Sequence, residues 1–189
     1  MKRCEQLLLI VTFLGFSWLA MQAVHELGHI IGACITGAEV TRIALHPFII
    51  SHTDLGYNPR PLIVVWAGPL IGSILPLTAY LAARLLNSPG IYLFRFFAGF
   101  CLITNGVYIA FGPSHGAADT GVMIQFGSPR GLLLVFGFIA ASLGLYLWHL
   151  QGSYFGLGMA RGKVDRKAAI TSLTLFLTVA VVEFIINSR

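Results

Sequence analysis

The chain has 189 residues, of which 57% are hydrophobic and only 10% are charged, whereas soluble domains carry about 25% charged residues. So few charges cannot cover the surface of a soluble protein of this size, and the composition predicts a polytopic membrane protein in a lipid bilayer. The net charge is +5, but the basic residues form no stripe accompanied by aromatic side chains, and this excludes nucleic acid as a partner. Scattered basic residues of this kind are expected in loops beside anionic lipids.

Five nearly charge-free segments are long enough to cross a bilayer, which takes about 20 apolar residues in a helix. Backbone groups in lipid must be paired within the segment, and this favours helices over open strands. The sequence thus predicts an all-α polytopic membrane protein with about five transmembrane helices. The predicted helices lie at 6–35, 62–83, 96–127, 131–150 and 168–186.

The first twenty residues resemble a secretory signal peptide, with a basic start followed by an apolar run. The sequence has no good small-residue cleavage site there, and we expect an uncleaved first helix. Eight basic residues lie in the amino terminus and in the connections 84–95 and 151–167, against four on the opposite side. Because cytoplasmic loops are enriched in Lys and Arg, the amino terminus is predicted to be cytoplasmic.

The first predicted helix contains the sequence HELGH, in which His25 and His29 are four positions apart. Such positions share one face of a helix, so both imidazoles can bind one tetrahedral zinc ion, with Glu26 as general base towards the attacking water. A chance match in a chain of this composition is expected roughly 0.004 times. Ionisable residues inside a membrane are also costly unless they have a function. We therefore predict a metal site rather than two hydrogen-bonded core histidines.

A polar loop at 36–61 separates the first two predicted helices. Within it, residues 38–53 alternate β-branched and polar side chains, which predicts one or two short strands at the membrane surface. The exposed edges of such strands could hold an unwound substrate by strand addition.

A catalytic zinc site needs a third protein ligand. Most other His, Asp and Glu residues lie in loops or near helix ends, whereas Asp119 lies among small residues inside the third apolar segment. Gly112 and Pro113 are expected to break that helix, and irregular backbone is tolerated at membrane depth where it lines a buried site. Asp119 is the predicted ligand and His115 the alternative. The other interpretation of Asp119 is a carboxylate that only caps a restarted helix.

These motifs resemble the site-2 protease family of intramembrane zinc metalloproteases. The HELGH helix followed by a strand segment is similar to that family's first core helix and surface sheet. The sequence AGP at 67–69 is similar to a Gly-Pro motif that opens the second core helix, and Asp119 corresponds to an aspartate ligand in the third. The resemblance implies a three-helix protease core at 1–127 and two additional transmembrane helices at 128–189.

Two positions depart from the family's patterns. The Gly-Pro motif of the family usually continues to an asparagine, whereas this chain has Gly72 near that place. The aspartate motif usually reads Asn-Pro-x-Pro followed by Leu-Asp-Gly, whereas residues 112–121 read GPSHGAADTG. Asn105 could supply an amide instead, although the sequence does not place it.

The resemblance implies an enzyme that hydrolyses a peptide bond in or near a membrane-spanning segment of a substrate protein. One zinc ion per chain would be held by His25, His29 and Asp119, with Glu26 as the catalytic base and no further cofactor site. The alternative is a non-catalytic, protease-like membrane protein that binds a partner or a metal. A metal transporter is disfavoured because a single site makes a poor conduction path. A regulatory membrane partner is a further expectation, and the sequence leaves open whether the last two helices regulate access or dimerise.

Overall fold

The structure is a computed structural model that describes residues 2–115 and 118–187. In this part of the chain the helices are α1 (Lys2–Thr36), α2 (Pro61–Leu85), α3 (Ile91–His115), α4 (Ala118–Gln125), α5 (Arg130–Trp148) and α6 (Arg166–Asn187). The strands β1 (Val40–Ala44) and β2 (His52–Leu55) lie between α1 and α2, and two 3₁₀ turns, Gly152–Phe155 and Gly158–Ala160, precede α6.

Five of these helices, namely α1, α2, α3, α5 and α6, are long and apolar enough to cross a membrane, counted over the described residues. The predicted helical fold with a short strand segment is confirmed to that extent. α1 has 35 residues, which corresponds to about 52 Å at 1.5 Å per residue. It is therefore longer than the hydrocarbon core of a bilayer, which is about 30 Å thick.

The third predicted segment, 96–127, forms two helices. α3 continues through Gly112 and Pro113 to His115, and the short helix α4 follows. The predicted division of this segment into two helices is therefore confirmed, but α3 ends at His115, two residues beyond Pro113, rather than at Gly112 and Pro113. A proline removes only one backbone hydrogen bond, and apolar helices tolerate this loss where neighbouring groups compensate for it. α2 likewise continues through two prolines, Pro69 and Pro76.

α6 packs against α1 and runs parallel to it. Leu9 and Phe13 near the start of α1 share an apolar cluster with Ala169 near the start of α6. Further along both helices, Gly15 lies directly against the ring of Phe176. α6 therefore supports the first half of the helix that carries HELGH.

α3 is held by α5 through close backbone contact. A Cβ atom built on Gly106 would lie 2.9 Å from the carbonyl oxygen of Gly137, and one built on Gly144 would lie 2.7 Å from that of Gly99. Small residues at such positions allow two helices to approach closely, as is common in membrane proteins. This contact holds α3 directly against α5.

The predicted strands at 38–53 are confirmed as an antiparallel hairpin. Its register runs from the pair Val40 and Leu55 to the pair Ala44 and His52, with an irregularity near the start of β1. The second strand extends two residues beyond the predicted segment.

The hairpin folds back along α1. Gly37 follows α1 with a φ of +72°, a left-handed conformation that ends helices and that glycine adopts without strain. At the other end of the hairpin, the backbone N–H of Ser51 donates to Gln22 Oε1 at 2.9 Å. Since Gln22 lies about 21 Å before Thr36 along the axis of α1, the hairpin brings residues 51–53 to the level of HELGH.

Candidate metal centre

His25, Glu26 and His29 lie on a buried face of α1, with exposed fractions between 4% and 8%. Gly28 lies between the two histidines and allows α2 to approach. A Cβ atom built on Gly28 would lie 2.7 Å from the Cα atom of Gly68 on α2. The missing side chains therefore bring the backbone of α2 directly against the HELGH segment.

Asp119, in the first turn of α4, meets the two histidines. Its Oδ2 atom lies 3.0 Å from Nε2 of His25 and 3.5 Å from Nε2 of His29. The two Nε2 atoms are 3.1 Å apart. Ligand atoms about 2.0–2.1 Å from a tetrahedral zinc ion would be separated by about 3.3 Å. Over the residues that the structure describes, no other group of three His, Cys, Asp or Glu side chains comes close enough to share a metal.

The protonation of the histidines is compatible with a cation at this position. Nδ1 of His29 lies 2.9 Å from the carbonyl oxygen of Val64. Because a carbonyl only accepts, this nitrogen carries the proton and Nε2 of the neutral ring keeps its lone pair. Nδ1 of His25 lies 2.7 Å from Asn105 Oδ1. Nε2 of His25 therefore also keeps its lone pair. Together with the carboxylate of Asp119, three acceptors converge, and they repel one another unless a cation or an added proton lies between them.

This set of donors suits zinc. Two imidazole nitrogens and one carboxylate oxygen are typical ligands of catalytic zinc sites, which keep a fourth position open for water or substrate. The side chain of Asp119 is 18% exposed, so the group is not sealed from its surroundings. The three donor atoms therefore fit one zinc ion.

Two neighbouring groups form the walls of this centre. A Cβ atom built on Gly68 would lie 2.5 Å from Nε2 of His29 and 3.0 Å from Nε2 of His25. On another side, the ring of Tyr108 lies edge-on against His25, with ring centroids 5.9 Å apart and an interplanar angle of 82°. The backbone of α2 and an aromatic ring of α3 thus limit the space around the histidines.

Glu26 is held by the hairpin. Ser51 Oγ donates to its Oε1 atom at 2.8 Å, and Thr53 Oγ1 donates to its Oε2 atom at 2.7 Å. A carboxylate offers about four lone-pair positions, so these two bonds leave acceptor capacity for a water molecule. The hairpin therefore orients the carboxylate of the predicted base and leaves some of its hydrogen-bond acceptor positions free.

The structure places the other acidic and histidine candidates away from this centre. His52 and Asp54 face each other on the exposed surface of the hairpin, with 4.0 Å between Nε2 and Oδ2. Glu183 is buried in α6. His115, the alternative ligand, ends α3, and its side chain lies outside the described residues. The sequence AGP at 67–69 lies inside α2 rather than at its start.

Sequence reasoning missed Ser51, Thr53 and the carbonyl group of Val64, and it left Asn105 without a place. Hydroxyl and carbonyl partners have no characteristic spacing, because their positions depend on how distant segments fold together. Asn105 did carry a signal, since a lone amide inside an apolar segment is costly and usually has a specific role.

Comparison of the chain with protein-family models, curated proteins and solved structures found no significant match. The functional assignment is therefore based on the arrangement of His25, Glu26, His29 and Asp119 and on the chemistry that these side chains can perform.

Proposed function

We propose that the chain is an integral membrane zinc metalloprotease that resembles the site-2 protease family. Its substrate would be a peptide bond in or near a membrane-spanning segment of another protein. One observation carries the proposal: Nε2 of His25, Nε2 of His29 and Oδ2 of Asp119 lie within 3.0–3.5 Å of one another. Asp119 is 94 positions from His25 in the sequence, so this convergence reflects the fold rather than local geometry.

The residues of the site have distinct roles in this proposal. Zinc bound there would lower the pKa of water to about 7 and polarise the scissile carbonyl. Glu26 takes the proton from the water that attacks the carbonyl carbon and then passes it to the leaving amine. Ser51 and Thr53 keep the carboxylate of Glu26 oriented during both transfers.

The five long apolar helices support a membrane setting. In the proposed arrangement the amino terminus is cytoplasmic, residues 1–127 form the protease core and residues 128–189 add two membrane helices. A substrate segment would approach the site from the bilayer. Phe48 and Ile50, in the turn of the hairpin, are 86% and 79% exposed, and such apolar side chains suit contact with lipid or with an apolar substrate.

The hairpin is the proposed substrate-binding element. Helices must unwind before a protease can cleave them, because the scissile bond of a helix is enclosed by its own hydrogen bonds. An exposed strand edge offers an unwound segment new backbone partners. The contacts of Ser51 and Thr53 with Glu26 place this edge next to the proposed base.

A non-catalytic metal-binding or partner-binding protein is the alternative. The observation in its favour is that both oxygens of Glu26 already accept hydrogen bonds from hydroxyl groups of the protein. Such a protein would bind zinc and produce no cleavage products, which separates it from the proposed enzyme.

The substitution Glu26→Gln tests the proposed function. Membrane-protein fragments would be compared by mass spectrometry in cells that carry the wild-type chain, Glu26→Gln or the exposed control Glu39→Gln. Because a general base contributes about 10²–10⁴-fold to the rate, the fragments of the wild type should be lost in Glu26→Gln and remain in the control. Zinc content should be equal in all three.

Cleavage by Glu26→Gln at the wild-type rate would contradict the assigned mechanism. Zinc binding by all three chains with no fragments in any of them would favour the non-catalytic alternative.

A further inference from the structure

Asn105 is a buried amide of α3 with hydrogen bonds in two directions. Its exposed fraction is 1%. Nδ2 donates to the carbonyl oxygen of Cys101 at 2.9 Å, and Oδ1 lies 2.7 Å from Nδ1 of His25. Because a carbonyl oxygen only accepts, the bond to Cys101 requires the NH₂ group on that side of the amide. The amide oxygen therefore faces His25.

This orientation determines which nitrogen of His25 carries the proton. An oxygen next to Nδ1 accepts a hydrogen bond, so Nδ1 is protonated and Nε2 of the neutral ring has a lone pair. That lone pair points to the space shared with Asp119 and His29, at 3.0 Å and 3.1 Å. We propose that Asn105 is the positioning residue of His25, which holds the imidazole in the tautomer and orientation that bind metal. This inference rests on the proposed zinc site.

Gly72 of α2 makes room for the amide. A Cβ atom at this position would lie 3.0 Å from Nδ2 and 3.1 Å from Oδ1 of Asn105, closer than ordinary van der Waals contact. The amide of Asn105 thus fills a space that α2 leaves open at Gly72. Through this amide, α3 orients the imidazole ring of His25 on α1. Val64 orients His29 in the same way, but through its backbone carbonyl, which a side-chain substitution does not remove.

Two substitutions at one position separate positioning from packing. Asn105→Leu and Asn105→Asp both remove the N–H group that bonds to Cys101, and both keep the approximate shape of the side chain. Only Asn105→Asp keeps an oxygen that accepts from Nδ1 of His25. Thr104→Val is the matched control, because the hydroxyl of Thr104 bonds within its own helix to Phe100 at 2.9 Å.

The first readout is the dissociation constant for zinc alone, measured in detergent by competition with a chromophoric chelator. Partners that orient metal-binding histidines typically contribute 10–100-fold to affinity. We expect Asn105→Leu to bind zinc about 10–100-fold more weakly, whereas Asn105→Asp and Thr104→Val remain within about threefold of the wild type. Wild-type affinity in Asn105→Leu, or equal losses in the Leu and Asp variants, would overturn the proposal.

The second readout needs no metal. In ¹⁵N-histidine spectra of zinc-free protein, with the His25 signals assigned from His25→Gln, the wild type and Asn105→Asp should carry the proton on Nδ1. Asn105→Leu should populate the tautomer protonated on Nε2. The same tautomer in all three chains would overturn the role of Asn105. If the wild type bound no zinc, the proposed function would fail, and these spectra would still decide the role of Asn105.

Discussion

At the scale of single residues, the absence of a side chain at Gly68 leaves space beside the proposed zinc ligands His25 and His29. The space beside His25 and His29 is limited by the backbone of α2, and a Cβ atom at Gly68 would lie 2.5 Å from Nε2 of His29. The rings of His25 and His29 cannot move away easily from such a Cβ atom, because their Nδ1 atoms are held by Asn105 and Val64, respectively. A zinc ion and a methyl group would compete for the same volume.

The substitution Gly68→Ala should therefore weaken zinc binding by at least about tenfold, the scale of loss when metal-binding histidines are displaced. The measurement is chelator competition on purified protein. Gly131→Ala is the control, since a Cβ atom there meets no described atom within 4 Å. Unchanged zinc affinity in Gly68→Ala would show that the metal does not lie beside α2.

At the scale of elements, the hairpin links a surface segment to the proposed base. Both hydroxyl groups that contact Glu26 come from the stretch between the end of the β1–β2 turn and the start of β2. Removal of both hydroxyl groups would leave the buried carboxylate of Glu26 without these hydrogen-bond donors. A buried acceptor without a partner has an unfavourable free energy, and its orientation is poorly fixed.

The double variant Ser51→Ala with Thr53→Val should lower the rate of substrate cleavage about tenfold or more, as expected when the base is no longer oriented. Its zinc affinity should remain that of the wild type. Thr41→Val is the matched control, because its hydroxyl bonds to the carbonyl oxygen of Asp54 within the hairpin. A cleavage rate equal to or above that of the wild type would mean that the hydroxyl groups do not assist Glu26.

The sequence predicted the elements well because their signals are local. Long apolar segments and the β-branched alternation at 38–53 correctly indicated helices and strands, and the i, i+4 spacing of His25 and His29 placed both rings on one face. The division of the third segment was expected at Gly112 and Pro113, whereas α3 continues to His115, because a single proline does not by itself end a helix. The return of the hairpin along α1 was not predictable, since no local pattern encodes how far a hairpin folds back on its neighbour.

At the scale of the whole molecule, the candidate metal centre lies where α1, α2, α3 and α4 meet. All side chains placed at the site belong to residues 1–127, which is consistent with the proposed protease core. α6 supports α1 through the Gly15 and Phe176 contact, and α5 supports α3 through Gly106 and Gly137. The last two long helices thus brace the two helices that supply His25 and Asn105.

Zinc X-ray absorption on purified protein will show whether His25, His29 and Asp119 together bind one zinc ion. We expect one zinc ion per chain, with nitrogen and oxygen ligands at about 2.0–2.2 Å and no sulfur. Zinc should be lost in Asp119→Ala and kept in Glu26→Gln. A sulfur ligand from one of the three free cysteines, or full zinc occupancy in Asp119→Ala, would show that these three residues do not form the zinc site.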